Sequence, residues 1–446
     1  MKNNYSSGFK KILSNTGYLF GEKVFNMALS LLVGIWVARY LGPDELGLLR
    51  YAQSFVGLFI AVASLGTTQI VIRDLVNEPE ESEGRILGTS FFLMLVAGVI
   101  TALLVIGIGV WQNNDTLTIS LIVIASVNLI FQAFDVFDYW FQSKVLSKYS
   151  VYARTIAQIT ISIIKVILIL FSLSIIYFAL TMIAAGIIQS VVWAAYFQKQ
   201  KKSTMNWKFD AEYAKSLLKN AWPLIISGIS VAIYMKIDQV MLKSMVNANA
   251  VGNYSVAVTV SQLWYFIPLT ITSSVFPSII QSKKDNVEKY YRRLQYLYDV
   301  MTAIAVAIAL PMTFLSNFVI LSLFGPEYTQ AGVVLAIHIW AGVFVFLGVV
   351  RNRWIINENY QFYGMIFTIS GAVANIAMNI WLIPIYGITG AAWATLVSQA
   401  LSAWFIALFF DKTRLAFKMH LRAIFNALLI YPVIKSLTKI LKEASD

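Results

Sequence analysis

A few ionisable and amide side chains interrupt otherwise apolar stretches of this 446-residue sequence, and they do so at helical spacing. Asn128, Gln132, Asp135, Tyr139 and Gln142 recur at steps of three and four, which places them on one face of a helix, with Asp138 in the same turn. Arg154, Gln158, Ser162 and Lys165 repeat the pattern, and Glu22, Asn26 and Ser30 begin it, with Lys23 beside them. Ser227, Ser230, Tyr234 and Asp238 form another stripe, and Asn375 and Asn379 a short one. Small polar residues in such stripes also serve helix packing by hydrogen-bonding across to neighbours. The ionisable ones, Glu22, Lys23, Asp135, Lys165, Lys236 and Asp238, require water, a partner or a substrate, because a charge at mid-membrane costs about 2.5–3.5 kcal/mol on insertion scales. Lys236 lies nearly opposite Tyr234, and its length allows it to snorkel toward the outer interface. The chemistry in view is non-covalent binding. With no cysteine and only His338 and His420, a metal cluster is not expected, and no glycine-rich phosphate loop or nucleophile arrangement is present. His338 reads as core or cavity lining, and the run Glu78, Glu80, Glu81 and Glu83 as a solvated loop.

The elements that position these residues follow from composition. At 59% hydrophobic and 13% charged, the chain suits a bilayer and not a soluble surface. Apolar runs of spanning length recur at 17–40, 50–72, 86–111, 117–141, 151–172, 175–197, 221–243, 252–280, 297–315, 329–350, 361–383 and 388–410, predicting about twelve transmembrane helices. The polar stretch Met1 to Ser14 argues against a cleavable signal peptide. Lysine and arginine concentrate in alternate connections: Lys144 and Lys148, then Lys199 to Lys219, then Lys283 to Arg293, then Arg351 and Arg353. Both termini are therefore expected on the cytoplasmic side, and the net charge of +12 reflects topology, with no nucleic-acid partner implied. The stretch 417–442 is too short in its apolar part to span, and it reads as an interfacial helix on the cytoplasmic face.

The two halves resemble each other at a shift of a little over two hundred residues. Tyr149 to Tyr152 matches Tyr360 to Tyr363, Tyr196 to Lys199 matches Phe409 to Lys412, and Gly47 matches Gly252. The expected architecture is all-α and integral to the membrane, with two six-helix lobes around a central cavity. They would comprise residues 1–200 and 221–412, joined by a basic linker at 201–220 and followed by a tail at 413–446.

Trp36-Val-Ala-Arg-Tyr-Leu-Gly-Pro43 followed by Gly47-Leu-Leu-Arg-Tyr-Ala52 resembles the first outer turn of the Wzx-type O-antigen and polysaccharide flippases of the MOP (MATE-like) superfamily. The resemblance continues through Tyr139-Trp-Phe-Gln-Ser143, Trp222-Pro-Leu224, Ile237-Asp-Gln-Val-Met-Leu242 and Leu263-Trp-Tyr-Phe-Ile-Pro268, and it covers most of the chain. One departure is Thr67-Thr-Gln69, where relatives often carry an aspartate.

The resemblance implies a transporter, not an enzyme. It would need no cofactor and would move undecaprenyl-diphosphate-linked oligosaccharide units across the bacterial inner membrane by alternating access, with membrane lipid and other polysaccharide assembly proteins as neighbours. Lys23, Arg154 and Lys165 are then candidates for the diphosphate, and Arg39 and Arg50 for its reception on the outer side. Asn26, Asn128, Gln132, Gln158, Asn375 and Asn379 are candidates for sugar hydroxyls, and Glu22, Asp135, Asp138 and Asp238 for a coupling ion. Tyr139, Trp140 and Trp264 are candidates for stacking on sugar rings, although aromatic residues near membrane interfaces commonly serve as anchors. A cation-coupled drug exporter of the same superfamily and a membrane enzyme of polysaccharide assembly are the alternatives, the latter disfavoured by short outer connections such as Asn113-Asn-Asp115.

Overall fold

A computed structural model describes residues 2–200 and 202–429, with side chains from residue 21 onward except at 285 and 428. Helices account for almost all of it, and no strand occurs among the described residues. The chain divides into two compact units, Met1–Ile237 and Asp238–Asp446. The first holds α1 (Lys2–Gly57), α2 (Ile60–Ala63), α3 (Thr68–Asn77), α4 (Glu83–Trp111), α5 (Thr116–Phe131), α6 (Asp135–Ser143), α7 (Ser147–Leu170), α8 (Ile175–Lys199) and most of α9 (Ala211–Met245). The second holds the end of α9, then α10 (Ala248–Gln262), α11 (Phe266–Asp285), α12 (Val287–Phe324), α13 (Thr329–His338), α14 (Ala341–Asn357), α15 (Gln361–Tyr386), α16 (Ile388–Ala403) and α17 (Arg414–Leu428).

Among the described residues, ten helical segments are long and apolar enough to cross a membrane, or eleven when α13 and α14, bent by 45°, count as one span. The first of the ten, Gly21–Asn77, has 57 residues. At about 1.5 Å per residue it is far longer than one bilayer core of about 30 Å. Its chain breaks at Gly42 (φ 66°), ahead of Pro43, so it carries both expected segments 17–40 and 50–72. Ten of the twelve expected segments fall on described helical stretches; 50–72 is interrupted between α1, α2 and α3, and 388–410 leaves the α-helix after Ala403 for a 3-10 turn. The protein is a multi-pass membrane protein.

Helix ends explain much of this regularity. Asp115, Asn247 and Asn286 accept hydrogen bonds from the backbone N–H three residues on, at Thr118, Ala250 and Lys289, and so cap α5, α10 and α12. Val145 and Asn359 both adopt left-handed backbone (φ 55° and 59°). Each is followed by an N–H that reaches back five residues, Leu146 to Phe141 and Tyr360 to Ile355, at 2.8 Å in both. These equivalent helix terminators put the internal repeat at a shift of 214, so that Trp140 corresponds to Trp354 and Tyr149 to Tyr363, not to Tyr360 as the sequence alone suggested. Both units also break the spans matched at this shift: α5 to α6 at Gln132–Phe134 through a 3-10 turn, and its counterpart α13 to α14 through a bend; α10 to α11 is broken too, by a 3-10 turn at Leu263–Tyr265.

The core of the first unit gathers Phe137, Trp140, Phe197 and Trp207. Trp140 sits edge-on to Phe197 at 5.1 Å and donates its indole N–H to Glu83 (3.0 Å). Glu83 is buried and pairs with Lys144 (2.7 Å) and Lys202 (3.0 Å). Residues 202–210 lie along α4. The Lys208 N–H donates to Gly84 O, the Thr89 hydroxyl to Lys208 O, and the Asp210 N–H to the Thr89 hydroxyl. This approach requires glycine at position 88, where a Cβ would lie 2.7 Å from the Lys208 nitrogen. The expected linker 201–220 is helical from Ala211, the residue after its cap Asp210.

In the second unit, α17 packs along α12. It buries Ala416, Met419, His420 and Ala423 and leaves Leu415, Lys418, Arg422 and Phe425 exposed. Gln295 donates to Met419 O (3.1 Å), and Trp404 stacks on Phe417 while donating to its carbonyl. The expected interfacial helix 417–442 is described only as far as this helix, and residues 430–442 lie outside the described residues.

Candidate functional site

Apart from the Glu83 cluster, two charge clusters and a polar cavity stand out in the first unit among the described residues. The break at Gln132–Phe134 is a 3-10 turn, with about 120° per residue in place of 100°, so it changes the phase of the stripe that begins at Asn128. The stripe divides beyond that turn, within α6, and its five members go three ways. Asn128, Gln132 and Asp135 line a cavity of about 290 Å³ between α5 and α8. Tyr139 turns toward α3 and accepts from the Thr68 hydroxyl at 3.0 Å. Gln142 donates to Asp138 at 2.9 Å.

Asp138 belongs to a mixed-charge cluster. Arg154 on α7 pairs with Asp138 at 2.6 Å and reaches Glu22 on α1 at 4.0 Å. Asn26, one turn further along α1, donates to Glu22 at 2.9 Å. One Asp138 oxygen and the Asn26 amide oxygen are buried without a hydrogen-bond partner, so the cluster keeps acceptor capacity. Lys23, by contrast, is exposed, and Arg39 is exposed as well.

The second cluster is wholly cationic. Arg50, which donates to Gln53 at 3.1 Å, lies within electrostatic reach of both Lys165 and Lys236. Lys236 runs across Gly57, where a Cβ would come within 2.7 Å of its Cδ, so only glycine at 57 lets this side chain lie down. Among the described residues neither lysine has a hydrogen bond or a carboxylate within ion-pair distance. Three partly buried like charges repel one another, and an anion with several oxygens relieves that repulsion. Gln158 is drawn elsewhere and donates to Ser162 (3.3 Å).

The second unit holds a closed polar network. Asp238 is 3% exposed and accepts from Asn379 (2.5 Å), Tyr254 (2.7 Å) and Thr395 (2.6 Å). Asn379 also donates to Asn375 (3.2 Å), whose amide donates to Ser398 (3.4 Å). Nearby, His338 bonds Ser261 at 2.9 Å and meets the Tyr254 ring edge-on at 6.1 Å. Trp264 is half-buried, packs against this unit's core, and leaves its indole nitrogen without a partner. Among the described residues no group of three or more histidine, aspartate or glutamate side chains could hold a metal.

Sequence reading missed several of these members. Gly186, Gln189, Ser190 and Trp193 recur on one face of α8 and were legible as a stripe, whereas Tyr254 and Thr395 stand among small residues on helices without polar periodicity. Lys236 was read as snorkelling outward, and only its seat on Gly57 reveals its place beside Arg50.

Comparisons agree with this architecture. The model of a family described as "Polysaccharide biosynthesis protein" matches residues 12–283, more than half of the chain. A curated relative named "Probable flippase AglR" from Haloferax volcanii is 31% identical over 184 residues, covering 38% of this chain and 36% of that protein. "Probable low-salt glycan biosynthesis flippase Agl15" from the same organism is 24% identical over 222 residues, covering 49% and 46%. The matched part thus spans less than half the length of these curated relatives. Among solved structures, the lipid II flippase MurJ aligns with a TM-score of 0.71 at 15% identity over 96% of each chain. A multidrug resistance MATE family transporter of the MOP superfamily aligns at 0.70 and 17% identity over 88% of this chain and 94% of its own. These likenesses establish a shared fold with the MOP superfamily. With a family model matched across both charge clusters of the first unit and on through α10 and most of α11, the chain belongs to the polysaccharide biosynthesis protein family.

Proposed function

We propose that the protein is a flippase that moves a lipid-linked oligosaccharide from the cytoplasmic to the outer leaflet. The cargo in this reading is an undecaprenyl-diphosphate-linked surface-glycan unit such as an O-antigen repeat. The membrane is the bacterial inner membrane, both termini are cytoplasmic, and the motion is alternating access. One observation carries the reading: Arg50, Lys165 and Lys236 gather inside a membrane-embedded unit, and neither lysine has a carboxylate partner among the described residues. Such a cluster suits a diphosphate, whose oxygens accept several charge-assisted hydrogen bonds at once. Lys23 and Arg39, exposed in the structure, would serve only at the entry or exit of the headgroup.

Arg154, held between Asp138 and Glu22, is suited to a second role. Protonation or cation binding at either carboxylate would loosen Arg154, and this couples an ion to the anion-binding capacity of the unit. Asp135 and Asp238 complete the set of proposed coupling acids. The names of the two curated relatives support a transporter of glycan intermediates over an enzyme.

The test is deletion of the gene followed by extraction of lipid-linked oligosaccharides, scored for accumulation and leaflet. The expected outcome is build-up on the cytoplasmic side with loss of surface glycan. The intact gene should restore it, and a Lys165→Met, Lys236→Met double variant of normal abundance should not. Unchanged lipids and glycan would remove the proposal and leave a small-solute exporter in its place.

A further inference from the structure

The polar side chains of the cavity in the first unit make no hydrogen bonds within the protein among the described residues. Asn128, Gln132, Asp135, Gln189, Ser190 and Trp193 line it from α5, the 3-10 turn after it, α6 and α8. Among the described residues, none of the six makes a hydrogen bond within the protein. Trp193 is the sharpest case: it is 2% exposed, and its indole N–H is buried without an acceptor. Buried polar groups are ordinarily satisfied, and one buried indole N–H without an acceptor, beside five further polar side chains that make no hydrogen bond within the protein, points to a ligand that supplies the missing donors and acceptors.

The mixture of groups narrows the ligand. Three amides each offer donors and an acceptor, the indole only donates, and the carboxylate only accepts. A bare metal cation would take the carboxylate and amide oxygens but leave the indole and amide N–H groups unanswered. An organic cation would use Asp135 and leave the amides idle. A neutral sugar ring fits the whole set, since each hydroxyl both donates and accepts while the C–H faces of the ring lie on aromatic surfaces. Phe131 supplies one such surface. Its ring lies over Gly186, where a Cβ would be 2.6 Å from a ring carbon, so glycine there keeps the ring back against α8. At about 290 Å³ the cavity is at the lower end of small-ligand pockets, the right scale for one sugar and too small for a repeat unit.

We infer that this cavity is a monosaccharide subsite, which takes one neutral sugar of the cargo while the diphosphate is held by other residues. The inference rests on the flippase reading for its cargo but makes its own prediction about the ligand.

The experiment is hydrogen–deuterium exchange of the full-length protein in lipid nanodiscs. The probes are glucose, galactose, mannose and N-acetylglucosamine at millimolar concentration, with pyrophosphate and tetraphenylphosphonium run separately. At least one sugar should slow exchange at residues 128–135 and 186–193. A Gln132→Ala, Gln189→Ala variant should need about tenfold more sugar for each amide removed, if each hydrogen bond is worth about 1.4 kcal/mol. Gly186→Ala deletes no polar group but pushes the Phe131 ring toward the cavity, and it should abolish protection by sugar. In both variants pyrophosphate should still protect the segments around Arg50 and Lys165. Protection by pyrophosphate with none by any sugar would overturn the subsite and leave the flippase reading standing. Protection of the cavity by tetraphenylphosphonium in place of sugars would overturn the subsite and favour an exporter of organic cations. Protection by sugar without any by pyrophosphate would support the subsite and count against the diphosphate assignment.

Discussion

Acidification should release α17 from the second unit, because His420 can take a proton only by leaving its seat. The imidazole is fully buried, neither ring nitrogen has a hydrogen-bond partner, and Tyr298 meets it edge-on at 4.6 Å. Burial, with the Arg351 guanidinium adding to it, pushes its pKa down from 6.5 to about 3. A histidine depressed in this way favours the docked state fully above pH 6.5, and docking weakens as pH falls from there toward 3, since the undocked helix binds more protons across that window. Each pH unit inside the window is worth about 1.4 kcal/mol, so a step from about pH 7.5 to about pH 4.5 removes about 2.7 kcal/mol, close to a hundredfold in the docking equilibrium. Hydrogen exchange of the α17 amides, corrected for the intrinsic pH dependence of exchange, reads this directly. The wild-type protein should lose about two decades of protection, and His420→Leu should show a nearly flat profile. Equal slopes in the two proteins, or unchanged wild-type protection at about pH 4.5, would refute the reasoning.

Three further outcomes are expected. Asp238→Ala leaves the donors Tyr254, Asn379 and Thr395 facing no acceptor and should cost about 3 kcal/mol or more, whereas Tyr254→Phe should cost about 1 kcal/mol. Thermal unfolding in detergent distinguishes them, and equal losses would contradict a network centred on Asp238. Gly88→Ala should dislodge residues 202–210 from α4 and speed proteolysis there, while Gly107→Ala, which meets nothing within 4 Å, should not. Glu83→Gln should weaken the same clamp by about 2 kcal/mol, less than a fully buried pair because Lys144 and Lys202 keep access to water. Burial disfavours the Lys202 ammonium, but Glu83 and Glu80 outweigh it and raise its pKa. The clamp is therefore present in full at neutral pH; it fades as pH rises through that raised value, and also in acid once the Glu83 carboxylate is protonated, which proteolysis across a pH series will register.

Hydropathy by itself determined the class of this protein. Apolar runs of spanning length can be satisfied only by helices in a bilayer, so the segments fell on helices without knowledge of any contact. Ionisable positions were legible for the same reason, since a charge in an apolar run is conspicuous wherever it points. Their partners were not. A stripe shows which residues share a helix face but not what packs against it, and within α6 Asp135 meets a cavity while Asp138, one turn on, meets Arg154. Lys23 stands next to Glu22 in sequence yet is exposed and outside its cluster, while Lys236 and Arg50 come within electrostatic reach across 186 positions because Gly57 lets a lysine lie flat. The register of the internal repeat shows the same division. Similar tyrosines suggested one shift, and hydrogen-bonded helix ends at Val145 and Asn359 established another, because backbone geometry is held by the fold while tyrosines recur along many faces. Local periodicity governs which residues a membrane helix can tolerate. Which of them meet depends on breaks, glycine contacts and neighbouring helices, and these exist only once the chain has packed.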